Sequence, residues 1–501
     1  MNPSFRSTML RYTRKSLRYA LVIAVTVFVT FLLVFAIQAR VRLPELRSWH
    51  TIELSEEFSV ARTGRATTFE DYLRTEDRLF AELYRRVLDD PAAADTFSLG
   101  RYNPASVPAR LAYETKYNRS YELVPKEIRG AALLVHGLTD SPYAMRRLAE
   151  TLYRCDYYVL ALRLPGHGTV PAGLRHVTWI DWYAAVELAA QHAAARAGSA
   201  KPFLVGGFST GAALGTLYTI RSLDDTALPR PSQLVLLSPA IGISNFAVLT
   251  NVIAGLSVVP YFKKAEWLDV LPEYDPYKYN SFPVNAANQI YKLTRELQRT
   301  LEKAQGADRL KRMPRVLAFQ SLVDATITAA EVARGLFLRL PPGNHELVVF
   351  DVNRYERFEG LLAPGPREAL EIIKNTPALS FRLTLIANRS SDSRAIAAYS
   401  RAAGTKEVQI ENLTLEWPPG VFSLSHVALP FAPDDPVYGL APAGTGRDAY
   451  PLGALAVLGE SGTLVAPLGN LARLRSNPFF EVIEKKVDDA ARSAAASRLA
   501  N

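Results

Sequence analysis

The middle of the chain alternates between short apolar runs and stretches with helical spacing. The runs are apolar at nearly every position, which indicates strands buried on both faces. Such strands, alternating with helices, form a mostly parallel sheet with helices on both sides. The sequence therefore predicts an α/β fold. The predicted strands span residues 131–137, 157–164, 202–209, 233–240 and 315–320, and the predicted helices between them span 144–153, 180–196 and 210–220.

A much longer apolar run lies near the N-terminus. Residues 19–38 carry no charged side chain, and a helix needs about 20 apolar residues to cross the hydrocarbon layer of a membrane. Five basic residues and no acidic residue precede the run, which by the positive-inside rule keeps that end in the cytoplasm. We expect a cytoplasmic tail over 1–18, one transmembrane helix over 19–39, and the remaining chain outside the cytoplasm, which is the periplasm if the source is a Gram-negative bacterium. A cleaved signal peptide is the alternative.

The juxtamembrane segment over residues 40–105 contains one further pattern. Apolar residues recur at helical spacing between residues 67 and 90, and Thr68 and Asp71 stand where a capping pair is expected at the start of a helix. We predict one amphipathic helix here, packed on the main domain.

The remaining chain divides into a core in two parts and an insertion. Residues 106–240 form the first part of the predicted α/β core, and residues 312–501 form the second, with an extra strand–helix–strand unit and a C-terminal helix. Residues 241–311 interrupt the alternation and are rich in aromatic side chains. We interpret them as an inserted helical cap, with a space-filling helical hairpin as the alternative.

Composition narrows the possible partners. The chain has 501 residues, a formal net charge of +9 and 49% hydrophobic residues, which is enough to bury a large core. Basic and acidic residues are interspersed and no nucleic-acid motif occurs, so nucleic acid is not the expected partner. Cys155 is the only cysteine, which excludes an intramolecular disulfide and a cysteine-based metal site. We expect no metal and no organic cofactor.

One motif carries nucleophilic chemistry. Gly207, Ser209 and Gly211 form a GxSxG pattern between a predicted strand and a predicted helix. A serine on so sharp a turn is lifted above the sheet, and its neighbours two residues away must be small for strand and helix to approach. We predict that Ser209 is a nucleophile. The N–H of Thr210, with that of Leu138 after the first strand, would form an oxyanion hole.

A serine nucleophile needs a base and an acid to orient that base. His426 follows a strand-like segment near the end of the chain and completes the order serine, acid, histidine, so we predict it as the base. Asp324 directly follows the predicted strand over 315–320 and is our predicted acid. Asp392 follows a similar pattern closer to His426 and is the alternative. The other six histidines are His50, His136, His167, His176, His192 and His345.

Several segments together resemble the α/β hydrolase superfamily, in particular bacterial carboxylesterases, monoacylglycerol lipases and serine aminopeptidase-like proteins. The resemblance implies the α/β hydrolase fold, with Ser209, Asp324 and His426 as the triad and Leu138 and Thr210 as oxyanion donors. About a hundred residues separate Asp324 from His426, where the superfamily usually has a few tens. The segments that carry the resemblance are HGLTDSPYAMRRLAETL, LRLPGHG, WIDWYAAV and GFSTG.

The sequence thus predicts a membrane-anchored serine hydrolase that cleaves carboxylic esters through an acyl-enzyme intermediate. The anchor and the aromatic cap indicate a small-molecule or lipid-like substrate. Two alternatives stay open: a catalytically silent scaffold that binds an envelope partner, and a peptidase or thioesterase of the same fold. For the peptidase, Glu266, Asp269 and Glu273 in the cap are the acids that could hold a substrate amino terminus.

Overall fold

The computed structural model describes most of the chain. The described residues are 15–27, 29–30, 43–63, 67–90, 95–242, 260–357, 359–361, 371, 379–442, 449–455 and 468–499. Part of the predicted anchor over 19–39 and part of the predicted cap over 241–311 lie outside them.

A ten-stranded sheet organises the described chain. Its spatial order is β1-β3-β2-β4-β5-β8-β9-β10-β11-β12, and the seven strands from β3 to β10 in that order are parallel neighbours. A separate two-stranded sheet pairs β6 with β7. The five strands predicted from apolar runs are confirmed. The strands are β1 Tyr121–Leu123, β2 Gly130–Val135, β3 Tyr157–Leu162, β4 Phe203–Phe208, β5 Gln233–Leu237, β6 Trp267–Asp269, β7 Phe282–Pro283, β8 Arg315–Ser321, β9 Glu346–Phe350, β10 Arg382–Asn388, β11 Ala395–Arg401 and β12 Val408–Glu416.

Helices cover both faces of this sheet, as predicted. Alternate residues of β2 enter opposite cores: Leu133 and Val135 pack with one set of helices, Ala132 and Leu134 with another. Because every residue of β2 is buried, the strand reads as continuously apolar. The helices are α1 Ser48–Thr51, α2 Val60–Thr63, α3 Phe69–Leu83, α4 Val107–Glu114, α5 Arg146–Arg154, α6 Trp179–Ala197, α7 Thr210–Arg221, α8 Val284–Gly306, α9 Ala329–Gly335, α10 Leu468–Leu471 and α11 Phe480–Leu499.

The predicted amphipathic helix is confirmed as α3. Thr68 and Asp71 form a capping box, in which the Thr68 side chain accepts from the Asp71 N–H and the Asp71 side chain accepts from the Thr68 N–H. The helix buries Phe69, Tyr72 and Leu79 against the main domain. Capping of orphan N–H groups together with one apolar face explains why this segment is helical.

The region predicted as a cap differs from the expectation in one respect. Helix α8, which ends the segment 241–311, lies in the helical layer of the core. Its buried Leu293, Leu297 and Leu301 join the same apolar core as α6 and α7. Helix α8 is the crossover between the parallel strands β5 and β8, which a parallel connection requires.

The sheet has more strands at the β10 edge than the predicted parallel strands account for. Strands β9 and β10 are parallel neighbours, as in the predicted strand–helix–strand unit, and most of their connection lies outside the described residues. Strands β11 and β12 then continue the edge in antiparallel fashion. Strand β11 was not predicted, because its small residues give a weak strand signal.

Only part of the N-terminal apolar run lies among the described residues. Residues 15–27 are helical, but in the part of the chain that the structure describes, none of the helices is both long and apolar enough to cross a membrane.

Candidate active site

Ser209 stands on a strained turn between β4 and α7. Its backbone has φ 53° and ψ −112°, a left-handed conformation that costs energy for a residue with a side chain. The turn is held by its own backbone, since the Ser209 N–H donates to the Leu237 carbonyl at 2.9 Å and its carbonyl accepts from the Ala240 N–H at 3.2 Å. Strain of this kind at a single polar residue is typical of a functional site.

Gly207 and Gly211 make the turn possible. A Cβ at Gly207 would overlap the backbone of Gly211, and a Cβ at Gly211 would overlap the carbonyl of Val135. Strand β4, helix α7 and the end of β2 therefore approach each other more closely than any side chain would permit.

Gly211→Ala is expected to destabilise the fold by about 3 kcal/mol or more, because a backbone atom has to move to admit the new methyl group. Chemical unfolding followed by tryptophan fluorescence measures this cost. Gly306→Ala is the matched control, since a Cβ there meets nothing within 4 Å, and we expect it to be neutral or slightly stabilising. Equal effects of the two substitutions would contradict the packing argument.

His426 and Asp324 lie in contact although 102 residues separate them in the chain. The His426 Nδ1 and the Asp324 Oδ2 are 2.7 Å apart, and both side chains are buried. The other carboxylate oxygen of Asp324 accepts from the N–H groups of Thr326 at 2.8 Å and Ile327 at 2.9 Å. An ionised carboxylate only accepts, so His426 Nδ1 carries the proton and Nε2 remains free to accept one.

The pKa of the Asp324 carboxyl is lower than usual. Burial by itself raises this pKa, but the neighbouring His426 and the hydrogen bonds to the carboxylate lower it by more. Asp324 is therefore ionised at neutral pH and can stabilise a positive charge on the imidazole.

A returning segment brings His426 back to the sheet. After β12 at the far edge, the chain runs back across the carboxyl ends of the central strands. The Ser321 hydroxyl at the end of β8 donates to the Leu424 carbonyl at 2.8 Å. Beyond β9, the N–H of Asn353 donates to the Phe422 carbonyl at 2.7 Å. These hydrogen bonds explain how His426 reaches Asp324 although the two residues are far apart in the chain.

The imidazole lies beside the residue that precedes the candidate nucleophile. The rings of His426 and Phe208 have centroids 5.0 Å apart. Ser209 is 8% exposed and His426 is 6% exposed. Among the described residues, the Ser209 hydroxyl is not hydrogen-bonded to the imidazole. In unliganded sites such bonds are often long and tighten only when substrate binds.

Asp392 lies elsewhere. It is paired with Arg357 at 3.1 Å on the surface, and both side chains are more than three-quarters exposed. The structure therefore brings Asp324, and not the alternative acid Asp392, to the imidazole.

The two predicted oxyanion donors lie on neighbouring elements. Thr210 begins α7, and the first N–H groups of a helix have no acceptor within it. Leu138 follows β2, the strand next to β4 in the sheet. Both positions are at the carboxyl end of the parallel strands, where ligands bind in such sheets.

Other histidines have structural surroundings. His136 is fully buried, its Nδ1 donates to the Gly137 carbonyl at 2.8 Å, and its Nε2 accepts from the Leu164 N–H at 3.0 Å. Burial lowers the pKa of His136 and of His167, so both are neutral. His50 is buried as well: it is 2% exposed and hydrogen-bonded to the Ser281 hydroxyl at 3.0 Å.

Sequence reasoning missed several charged residues near His426. Asp140, two residues beyond Leu138, is buried and paired with Lys278 at 3.1 Å. Burial raises the pKa of Asp140, and the Lys278 ammonium partly offsets this. Arg473 and Arg475 come from the C-terminal region. The motif HGLTD contains Asp140 and was a usable signal, whereas no motif marked the two arginines.

Comparisons with known proteins match part of the chain to one family. Residues 126–341 match the family described as Serine aminopeptidase, S33. The chain is similar to a thermostable monoacylglycerol lipase from Bacillus sp. (strain H-257), with 47% identity over 55 residues, which are 11% of this chain and 22% of the lipase. The chain thus spans about a fifth of the length of this curated relative.

Two solved structures are also similar. A chain from the metagenome-derived lipolytic enzymes LipS and LipT is 20% identical with a TM-score of 0.36, over 52% of this chain and 98% of that chain. The monoacylglycerol lipase of Paleococcus ferrophilus is 17% identical with a TM-score of 0.36, over 46% of this chain and 89% of that chain.

Proposed function

Because the chain is a member of the α/β hydrolase superfamily, we propose that it is a serine hydrolase that cleaves carboxylic esters through Ser209, His426 and Asp324. One observation carries the proposal. The imidazole of His426 is held by Asp324 at 2.7 Å beside Phe208, directly before the strained Ser209. A nucleophile, a base and a group that orients the base are the parts that acyl transfer needs.

The proposed mechanism follows from the hydrogen-bonding roles. The Nε2 of His426 takes the hydroxyl proton as Ser209 Oγ attacks the ester carbonyl. Asp324 stabilises the imidazolium that forms, and the N–H groups of Leu138 and Thr210 bind the oxyanion. His426 then returns the proton to the leaving alcohol. Water then attacks the acyl-enzyme while His426 takes its proton. His426 returns this proton to Ser209 Oγ as the acid product leaves.

Ester cleavage is favoured over aminopeptidase chemistry by the state of two of the three candidate acids, Glu266 and Glu273. Glu266 is paired with Arg175. Glu273 is fully buried and accepts from the N–H groups of Asn280 at 3.0 Å and Ser281 at 2.8 Å. An acid that receives a substrate ammonium group has to be free to bind it, and these two are already engaged.

A matched pair of chromogenic substrates tests the bond that is cleaved. We expect an aryl ester to react with a kcat/KM at least about 10²-fold higher than an aminoacyl anilide, because a buried ammonium without a partner is strongly disfavoured. Glu266→Gln should leave the ester reaction unchanged. A preference for the anilide that Glu266→Gln removes would instead identify an aminopeptidase.

Localisation is a further part of the proposal. The uncharged run over 19–38 and the basic residues before it support a cytoplasmic N-terminus with the catalytic domain outside the cytoplasm. Protease treatment of spheroplasts, from which the outer membrane has been stripped, checks this: the catalytic domain should be cleaved in intact spheroplasts, without permeabilisation of the inner membrane.

A further inference from the structure

Two neighbouring cavities are present, and one of them adjoins the candidate active site. The first, here called the polar cavity, has a volume of about 170 Å³ and is lined by charged residues that include Asp140, Lys278 and Arg473. The second, the apolar cavity, has a volume of about 610 Å³, within the range of ligand-binding pockets. Leu271 and Tyr274 line both cavities, so the two are neighbours that share a wall.

The polar cavity adjoins the candidate catalytic residues. Val427, which also lines it, directly follows His426. Asp140 lies on the same loop as the predicted oxyanion donor Leu138, and its carboxyl is electrostatically coupled to His426. A ligand whose ester reaches Ser209 can therefore extend into the polar cavity.

The side chains that line the polar cavity include more cations than acids. Asp140 is paired with Lys278 at 3.1 Å. Asp275 is paired with Arg475 at 3.5 Å and also accepts from the Tyr438 hydroxyl. Both acids thus have a cationic partner of their own.

Arg473 is the remaining cation of the polar cavity. Within the described part of the chain its guanidinium has no ion pair and no hydrogen bond, and its side chain is exposed to solvent. Partial burial lowers the pKa of Arg473 and the Asp324 carboxylate partly offsets this, which places the guanidinium within electrostatic reach of the candidate acid. An arginine presents a planar fork of donors that suits a phosphate or a carboxylate.

The apolar cavity is built largely from parts of the chain outside the family match over 126–341. Its walls include Trp49 from the N-terminal side and Leu452 from the C-terminal side, and both are buried. Three large apolar side chains that line it are more than two-fifths exposed: Phe97, Leu99 and Leu455. Exposed apolar side chains that gather at one opening are typical of a binding surface for an apolar ligand.

We infer that the two cavities form one substrate site for an anionic amphiphile, an inference that rests on the proposed ester hydrolysis. The scissile ester lies at Ser209, the phosphate or carboxylate group binds Arg473 in the polar cavity, and a fatty chain on the alcohol portion fills the apolar cavity.

Four synthetic acetate esters test this site. Each ester is presented in mixed micelles to the whole protein. Two are 1-O-alkyl-2-acetylglycerol 3-phosphates with a hexadecyl or a butyl chain, and two are the same compounds without the phosphate. We expect the phosphate to raise kcat/KM about tenfold, in line with a hydrogen bond to a charged group. Lengthening the chain should raise kcat/KM by up to about fourfold per methylene until the cavity is filled.

Two variants connect these preferences to the cavities. Arg473→Gln should reduce the ratio of kcat/KM between charged and neutral esters to near one. Leu455→Trp, at an exposed position, should fill the opening and remove the advantage of the hexadecyl chain. Arg382→Gln replaces an exposed arginine of β10 far along the sheet and should leave all four values unchanged.

The outcomes separate this inference from the proposed function. Release of acetate from the neutral butyl ester, together with fluorophosphonate labelling of Ser209, reports ester hydrolysis alone. If both occur but the phosphate or the long chain gives no advantage, the amphiphile site is refuted and the proposed function stands. If Arg473→Gln keeps the phosphate preference, or Leu455→Trp keeps the chain preference, the assignment to these cavities is wrong.

Discussion

Replacing Ser209 with alanine should lower kcat for an ester substrate about 10⁶-fold, because no covalent acyl-enzyme can form without the hydroxyl. This corresponds to about 8 kcal/mol of the activation barrier. The same variant should lose reaction with a fluorophosphonate probe, which labels an activated serine. Initial rates with an aryl ester and gel-based detection of the probe measure the two effects.

A matched serine controls for loss of fold. Ser222 is also buried and lies just beyond α7, where its hydroxyl donates to the Thr219 carbonyl at 2.8 Å. Ser222→Ala should keep labelling and activity, with a loss of about 1 kcal/mol in the free energy of unfolding. If folded wild-type protein does not react with the probe, the chain is a silent scaffold and the proposed function is wrong.

Asp324→Asn should lower kcat about 10⁴-fold while the protein stays folded. The amide nitrogen of asparagine can donate to the imidazole, which favours the tautomer with the proton on Nε2. That tautomer cannot accept the Ser209 proton. The neutral amide also fails to stabilise the imidazolium. Steady-state kinetics and the rate of fluorophosphonate labelling should fall together, because both require an activated serine.

Asp392→Asn is the matched control for the acid. Its carboxylate is exposed and paired only with Arg357 at 3.1 Å, and surface pairs contribute about 0–1 kcal/mol. We expect unchanged kinetics and nearly unchanged stability. A large loss of kcat in Asp392→Asn, with Asp324→Asn active, would exchange the roles assigned to the two acids.

The amphiphile site adds a feature that the family match does not cover. The matched region over 126–341 contains the sheet centre, Ser209 and Asp324. His426, Arg473 and most of the apolar cavity come from residues outside it. The proposed chemistry therefore combines the matched region with His426 from beyond it, and the proposed substrate preference depends on segments that lie largely outside the match.

Local patterns were sufficient to predict the central sheet, the capped helix α3 and the turn at Ser209. Each depends on interactions between residues close in the chain or on burial of a whole strand, and these leave a periodic or compositional signal. The strain at Ser209 and the need for Gly207 belong to the same class, because they arise within the turn itself, whereas Gly211 has to be small because Val135 at the end of β2 approaches it.

The antiparallel edge strand β11 and the placement of α8 were not predictable in this way. Strand β11 is composed mainly of small residues and is stabilised by pairing with β10 and β12. The face of α8 that enters the core depends on where α6 and α7 already lie. Tertiary neighbours decide such elements, since local propensity is weak there.

By itself, the sequence determined the parallel core, the nucleophile turn and a short choice of bases and acids, because strand burial and turn sterics act between neighbours in the chain. Only the tertiary structure decided between Asp324 and Asp392, and it did so through the segment that returns from β12 to the ends of β8 and β9. Only the tertiary structure assembled the two cavities, because their walls come from segments hundreds of residues apart. Contacts of that kind leave no periodic trace in a single sequence, since their energy depends on side chains that meet only after folding.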